Sequence, residues 1–337
     1  MGKSIILTRS LHLKKLKGMF GLFSGKMPLW VLILLPFFVI SSALAGSIPG
    51  PIPAEYGEVI CRFNERSPNQ LFIIGMSHRD ALTRLNGSKI PRVQAEVYKL
   101  GEWLIRNEGV ELLLPEGFFV TGAPRVEKEG LKKAQESPAC GTPLDLATLE
   151  SRLSDQKSFI NAEILLKKNY PLRLKQVEDK EVYMAVNASL RKLVDCSGDS
   201  SEFFQVKADL DYLQEKRTAM MLQKIPEIIN AEFREGNIKA KKGVFTIGLS
   251  HIPMIIKSLN ENRIRIYSQP TAANQNPDSK TNLTLQQEKF NIAIIIPRTL
   301  AADSKVLRMN KLDQFFSSST ASSFAGTADS VVKVPAH

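Results

Sequence analysis

Two stretches of this chain, 173 residues apart, read almost alike: Phe72-Ile-Ile-Gly75-Met-Ser-His78 and Phe245-Thr-Ile-Gly248-Leu-Ser-His251. Each is a short, mostly apolar run with no polar alternation, the pattern of a strand covered on both faces. Such strands belong to parallel sheets sandwiched by helices. Each run ends in the same Gly-x-Ser-His turn. The separation is too wide for a tandem repeat, so the copies are read as two equivalent strand ends in one sheet. The glycine three residues before each histidine suits a tight turn, or a positive φ where backbone must approach a ligand.

The rest of the chain supports an α/β fold with a mixed or mostly parallel central sheet flanked by helices, and a helical insertion. Pro91 opens a helix whose stripe is Val93, Val97, Leu100 and Leu104, and Gly109 closes it. Val110–Leu114 is a second buried strand, ending in Pro115-Glu116-Gly117. This β-α-β unit predicts parallel neighbouring strands. Residues 121–157 are polar and read as an insertion or lid. A helix near 158–169 leads to a strand at Leu172–Val177, which runs into Glu178-Asp179. Helices follow over about 181–195 and 203–233, then the second motif strand and a helix through Ile252–Leu259. Strands at Ile264–Tyr267 and Ile292–Ile296 complete the pattern. The expected division is a leader at 1–45, a linker and lead-in at 46–69, one α/β domain at 70–300 and a low-complexity tail at 301–337.

In an open parallel sheet, ligands bind where strands end at their carboxyl termini. His78, Glu116, Glu178 and His251 all follow apolar strands directly, and neighbouring strands are only about 4.8 Å apart. Four polar groups can therefore share one mouth. Ser77 and Ser250 can cap the turn or hold an imidazole. Two neutral imidazoles and one or two carboxylates form a donor set for a divalent ion; Mn, Co and Zn are all compatible. Bound metal would make a hydroxide nucleophile near neutral pH. Without metal, a His–Glu pair supplies general-base catalysis. For Glu178 and Asp179 the plainer alternative is an acidic helix N-terminus, and Arg217 is a surface charge unless its helix face turns inward.

Composition excludes several classes. The net charge is +11, but Lys3, Arg9, Lys14, Lys15, Lys17 and Lys26 supply six of those charges in a leader without acidic residues. No dense basic block with interleaved aromatics remains, so nucleic acid is not an expected partner. Residues 29–45 form an uncharged apolar run closing on Ala43-Leu44-Ala45, the form of a cleaved signal peptide; an uncleaved membrane anchor is the alternative. The protein is accordingly expected to be exported, periplasmic or extracellular, and to touch a membrane only through that segment. Three cysteines without a C-x-x-C give no redox or zinc-ribbon motif. The chain also lacks a nucleophile elbow, P-loop, H-E-x-x-H and G-x-G-x-x-G.

The order Gly75-x-x-His78, Glu116-Gly117, Glu215-Lys-Arg217-Thr-Ala-Met220 and Gly248-x-x-His251, spanning about residues 70–268, resembles the TraB/PrgY/Tiki group. That group belongs to a wider superfamily with ChaN-like haem-binding lipoproteins and erythromycin esterases. The resemblance implies a ChaN/erythromycin-esterase-like fold. It makes His78, Glu116 and His251 metal-binding or catalytic residues and Arg217 a site residue. Glu178 joins the expected metal ligands from its strand-end position. The implied activity is a metal-dependent hydrolase, most naturally a peptidase, acting on a peptide or small molecule. The alternatives are a ChaN-like protein that holds haem or a metal ion without catalysis, and a non-catalytic scaffold.

Overall fold

The computed structural model describes residues 50–77, 87–119, 143–154, 161–196, 198, 200–265 and 280–316, all within one compact unit, Ser47–His337. Thirteen of the elements build the sheet and the helices that matter for the site. In chain order these are β1 (Gly57–Phe63), β2 (Gln70–Met76), α1 (Ile90–Glu108), β3 (Leu112–Pro115), α2 (Leu146–Ser154), α3 (Ala162–Asn169), β4 (Arg173–Leu174), α4 (Lys180–Asp195), α5 (Ser201–Arg234), β5 (Lys242–Gly248), a 3₁₀ turn (Leu249–His251), α6 (Ile252–Glu261) and, after a small side sheet, β8 (Asn291–Pro297). The side sheet is β6 (Arg263–Arg265) against β7 (Lys280–Asn282), antiparallel.

The main sheet has six strands in the order β1-β8-β2-β5-β3-β4. Only the β1–β8 pair is antiparallel; β8, β2, β5, β3 and β4 all run the same way. The two motif strands, β2 and β5, are direct neighbours, with Phe72 beside Val244 and Gly75 beside Ile247. Their apolar residues Leu71, Phe72, Ile73, Ile74, Val244, Phe245 and Ile247 are all buried. Unbroken burial of this kind requires cover on both faces, and the helices supply it.

Several boundaries differ from those read in the sequence. β2 and β3 are parallel but not adjacent, because β5 inserts between them. The stretch 46–69 is more than a linker: Val59, Cys61 and Phe63 lie in β1, which zips onto β8 as an edge strand. The tail begins later than 301. Asp303 caps a helix over Ser304–Met309 by accepting from the Lys305 and Val306 amides, and Leu307 and Leu312 are buried behind it. Within the expected insertion, α2 packs on α1 through Leu149 and Leu153; residues 120–142 and 155–160 lie outside the described residues. Of the strand expected at Ile264–Tyr267, Ile264 and Arg265 lie in β6 of the side sheet, not in the main sheet; residues 266–267 lie outside the described residues. The strand expected at Leu172–Val177 shrinks to the two-residue β4, which has a neighbour on one side only.

α5 is 34 residues long, about 50 Å at 1.5 Å per residue. Near its C-terminal end Glu232 is buried against the sheet edge, where Arg173 Nε and Lys175 Nζ each approach to 2.5 Å. Burial works against the carboxylate, but the two cations outweigh it and hold its pKa below the ordinary 4.5. A folded value below the unfolded one stabilises the protein above pH 4.5, and that contribution disappears as the pH falls through the lower, folded value. Glu232→Gln is therefore expected to cost about 1–2 kcal/mol at neutral pH. The cost should shrink as the pH falls below 4.5 and through the lower, folded value, a trend that urea unfolding midpoints across an acidic pH series will measure.

Candidate functional site

Because β2, β5, β3 and β4 are parallel and consecutive, their carboxyl ends lie along one edge of the sheet in that order. His251 follows β5, Glu116 follows β3 and Glu178 follows β4. Ser77 follows β2 as the last described residue there; His78, the expected first member, lies outside the described residues. Three of the four strand-end candidates are thus brought together, and Arg217 reaches them from the middle of α5.

Arg217 is the hub. Its side chain is 8% exposed and turned inward, its Nη2 lies 2.7 Å from Glu116 Oε1, and its Nε donates to Glu178 Oε1. Tyr183 of α4 sits under the guanidinium, 5.2 Å from ring centroid to Cζ, and packs against Phe119 at 4.9 Å. Burial by itself would lower the Arg217 pKa, but Glu116 and Glu178 more than offset that and raise it. The guanidinium is a permanent cation here.

The backbone completes both carboxylates. The Gly248 amide donates to Glu116 Oε2 at 2.5 Å, and the Gly117 amide to Glu178 Oε2 at 2.6 Å. Gly117 has φ +74°, the left-handed conformation that glycine adopts without penalty; this turn aims its N–H at Glu178. The motif glycines act differently from the expected turn. Gly75 lies inside β2, where a Cβ would come within 2.8 Å of Ile296 Cδ1 and 3.0 Å of Ile252 Cγ1. It is small so that the start of α6 can press onto the strand. Gly248 has φ −60°, and its contribution is the amide given to Glu116.

His251 is 4% exposed. Its Nε2 lies 3.5 Å from Glu116 Oε1, the oxygen that Arg217 also holds. On the other side, its Nδ1 lies 2.6 Å from Thr218 Oγ1, and that hydroxyl donates to the Gln214 carbonyl at 2.9 Å. Thr218, not Ser250, is the imidazole's partner; Ser250 is exposed. A cavity of about 690 Å³ opens onto His251 and Thr218 between α5, α6 and β6, lined also by Leu210, Gln214, Met254 and Ile264. A larger one, about 800 Å³, surrounds Asn69 and Asn230 at the amino ends of the strands and touches none of the candidate residues.

The donor set can be weighed against a divalent ion. Ligands at about 2.1 Å from a tetrahedral centre stand about 3.4 Å apart, close to the 3.5 Å between His251 Nε2 and Glu116 Oε1. These two atoms fit as a pair of ligands. Glu178 does not fit: its side chain is fully buried and both oxygens face protein donors, Arg217 and the Gly117 amide. Its task is to hold Arg217. Asp179 is the helix cap of the alternative reading, accepting from the Glu181 and Val182 amides at 3.0 and 3.2 Å. Among the described residues, no group of three His, Cys, Asp or Glu side chains is placed to hold a metal ion.

Compared with family models, with curated proteins and with solved structures, the chain matches none. Sequence reading missed Thr218 and Tyr183. Thr218 had a signal, as the residue after Arg217 on a helix passing the second motif; Tyr183 had none beyond its place one turn after the Asp179 cap. Among the described residues, Cys61 and Cys196 are free thiols, burial raises the pKa of both, and neither is near the site; Cys140 lies outside the described residues. No described helix is long and apolar enough to cross a membrane, and the leader lies outside the described residues.

Proposed function

We propose that this chain is an exported hydrolase, acting on a peptide, with His251 and Glu116 as its working pair and Arg217 as the fixed charge beside them. One observation carries the reading: His251 Nε2 and Arg217 Nη2 converge on the same Glu116 oxygen, at 3.5 and 2.7 Å, in a buried cluster at the carboxyl ends of parallel strands. Buried ionisable groups assembled at a strand-end mouth are costly for stability and typical of catalytic centres. The order of motifs that resembles the TraB/PrgY/Tiki group supports the same assignment.

The chemistry follows from the residues. Glu116 is held from two sides, by Gly248 and Arg217, so its Oε1 is fixed where it can take or return a proton next to His251. Arg217 is in turn fixed by Glu178 and Tyr183, which pre-orients a positive charge for an oxyanion that develops on the substrate. One guanidinium against two carboxylates leaves an excess of negative charge, which favours a cation beside Nε2. A divalent ion held by His251 and Glu116, with His78 as the ligand expected from the sequence, would supply a bound hydroxide near neutral pH. The cavity at His251, apolar at Leu210, Met254 and Ile264 and carrying charges of both signs at Asp211, Glu215, Lys257 and Arg263, suits an extended peptide.

The test is to incubate the full chain with a defined peptide mixture, with Mn, Co or Zn or with a chelator, and to read fragments by mass spectrometry. Cleavage that chelation suppresses and His251→Ala removes, with the circular dichroism spectrum unchanged, is the expected result. No cleavage under any condition, or equal cleavage by His251→Ala, overturns the reading. A Soret band on haem titration would instead assign the site to haem binding.

A further inference from the structure

We propose that Thr218 is a positioning residue that fixes the tautomer of His251, with the proton on Nδ1 and the Nε2 lone pair turned toward Glu116. Thr218 Oγ1 has two close partners, the Gln214 carbonyl at 2.9 Å and His251 Nδ1 at 2.6 Å. It has one proton to give. A carbonyl oxygen only accepts, so the contact to Gln214 exists as a hydrogen bond only when the hydroxyl donates there. This is the usual back-bond of a helical threonine to the carbonyl four residues earlier. The contact to Nδ1 then needs its proton from the ring. The opposite choice aims the hydroxyl proton at Nδ1 and sets Oγ1 2.9 Å from the Gln214 carbonyl with no proton between the two oxygens, at a threonine that is only 1% exposed.

The consequence lies on the far side of the imidazole. With Nδ1 protonated, the neutral ring presents a lone pair at Nε2, facing Glu116 Oε1 at 3.5 Å. Two acceptors so placed attract something positive between them: a shared proton, a small divalent cation or an N–H or O–H of the substrate. The other tautomer would spend Nε2–H on Glu116 and leave neither atom available. Thr218 thus converts a His–Glu contact into a receptive one. This deepens the assignment of His251 proposed above, but its test needs no activity.

The test is the ring nitrogen spectrum of the full chain labelled with ¹⁵N-histidine, chelator-treated, followed through an alkaline pH series until it no longer changes. The His251 signals are identified by their loss in His251→Gln. The expected result is an unprotonated Nε2 in the wild type and in Thr218→Ser. In Thr218→Val the protonated nitrogen should move from Nδ1 to Nε2, since Nδ1 loses its acceptor. A wild-type ring protonated at Nε2, or a Thr218→Val spectrum with Nδ1 still protonated, overturns the proposal. If Thr218→Val does not fold, the wild-type and Thr218→Ser spectra decide: Nε2–H in either overturns it, and Nδ1–H in both supports it. A chain with the Nδ1–H tautomer that cleaves no peptide overturns the hydrolase reading alone.

Discussion

Arg217→Met is expected to destabilise the fold by about 3–5 kcal/mol, the cost of leaving buried charges without their partner. Methionine fills much the same volume, so little of the loss is cavity. What it removes is the only cation that touches both Glu116 and Glu178 in the described cluster. The Gly248 and Gly117 amides also donate to Glu116 and Glu178 respectively, but a neutral amide does not replace a cation. Arg217→Lys keeps the charge but cannot reach Glu178 from one nitrogen and Glu116 from another in the same planar fork; an intermediate loss is expected. Combining Arg217→Met with Glu178→Gln should recover part of the stability, because the damage comes from uncompensated charge. Urea unfolding midpoints at constant slope measure all three. An Arg217→Met chain within about 1 kcal/mol of wild type would show that the cluster is solvated and the hub assignment mistaken.

The second large effect is on turnover. In the peptide assay, Glu116→Gln is expected to lower kcat/KM by about 10²–10⁴-fold, the usual contribution of a positioned acid or base. The carboxylate serves three neighbours at once: the Gly248 amide, Arg217 Nη2 and His251 Nε2. The amide has one acceptor atom for those three and no basicity. The loss should fall on kcat with KM little changed, since Glu116 is not among the residues that line the cavity. Cleavage within about threefold of wild type would remove Glu116 from the chemistry.

The duplicated motif carried further than any other sequence signal. A short apolar run ending in one kind of turn is local information, and it correctly implied two equivalent strand ends, which prove to be β2 and β5 side by side. Glu116 was legible for the same reason, and the helix stripes at Val93, Val97, Leu100 and Leu104 were fully buried as their spacing implied. Strand order was not legible, because the insertion of β5 between β2 and β3 is a matter of long-range packing. Nor were the pairings: Glu178 meets Arg217 across 39 residues of chain, and Glu116 meets Gly248 across 132. A pattern of residue types marks Glu178 as polar at a strand end but cannot say whether it faces a metal or an arginine. The same limit hid the task of Gly75, whose smallness answers to Ile296 and Ile252 from distant segments.

The two borders of the main sheet have a bearing on how the chain behaves in company. An unpaired strand is a template on which another molecule can hydrogen-bond, the usual start of aggregation. Here one border, β4, is only two residues long and carries Arg173, with Lys175 just beyond. The other, β1, is interrupted by a register shift between Val59 and Cys61, the kind of bulge that twists a border away from a second chain. A sheet this apolar inside is thus guarded against lateral growth at both of its borders.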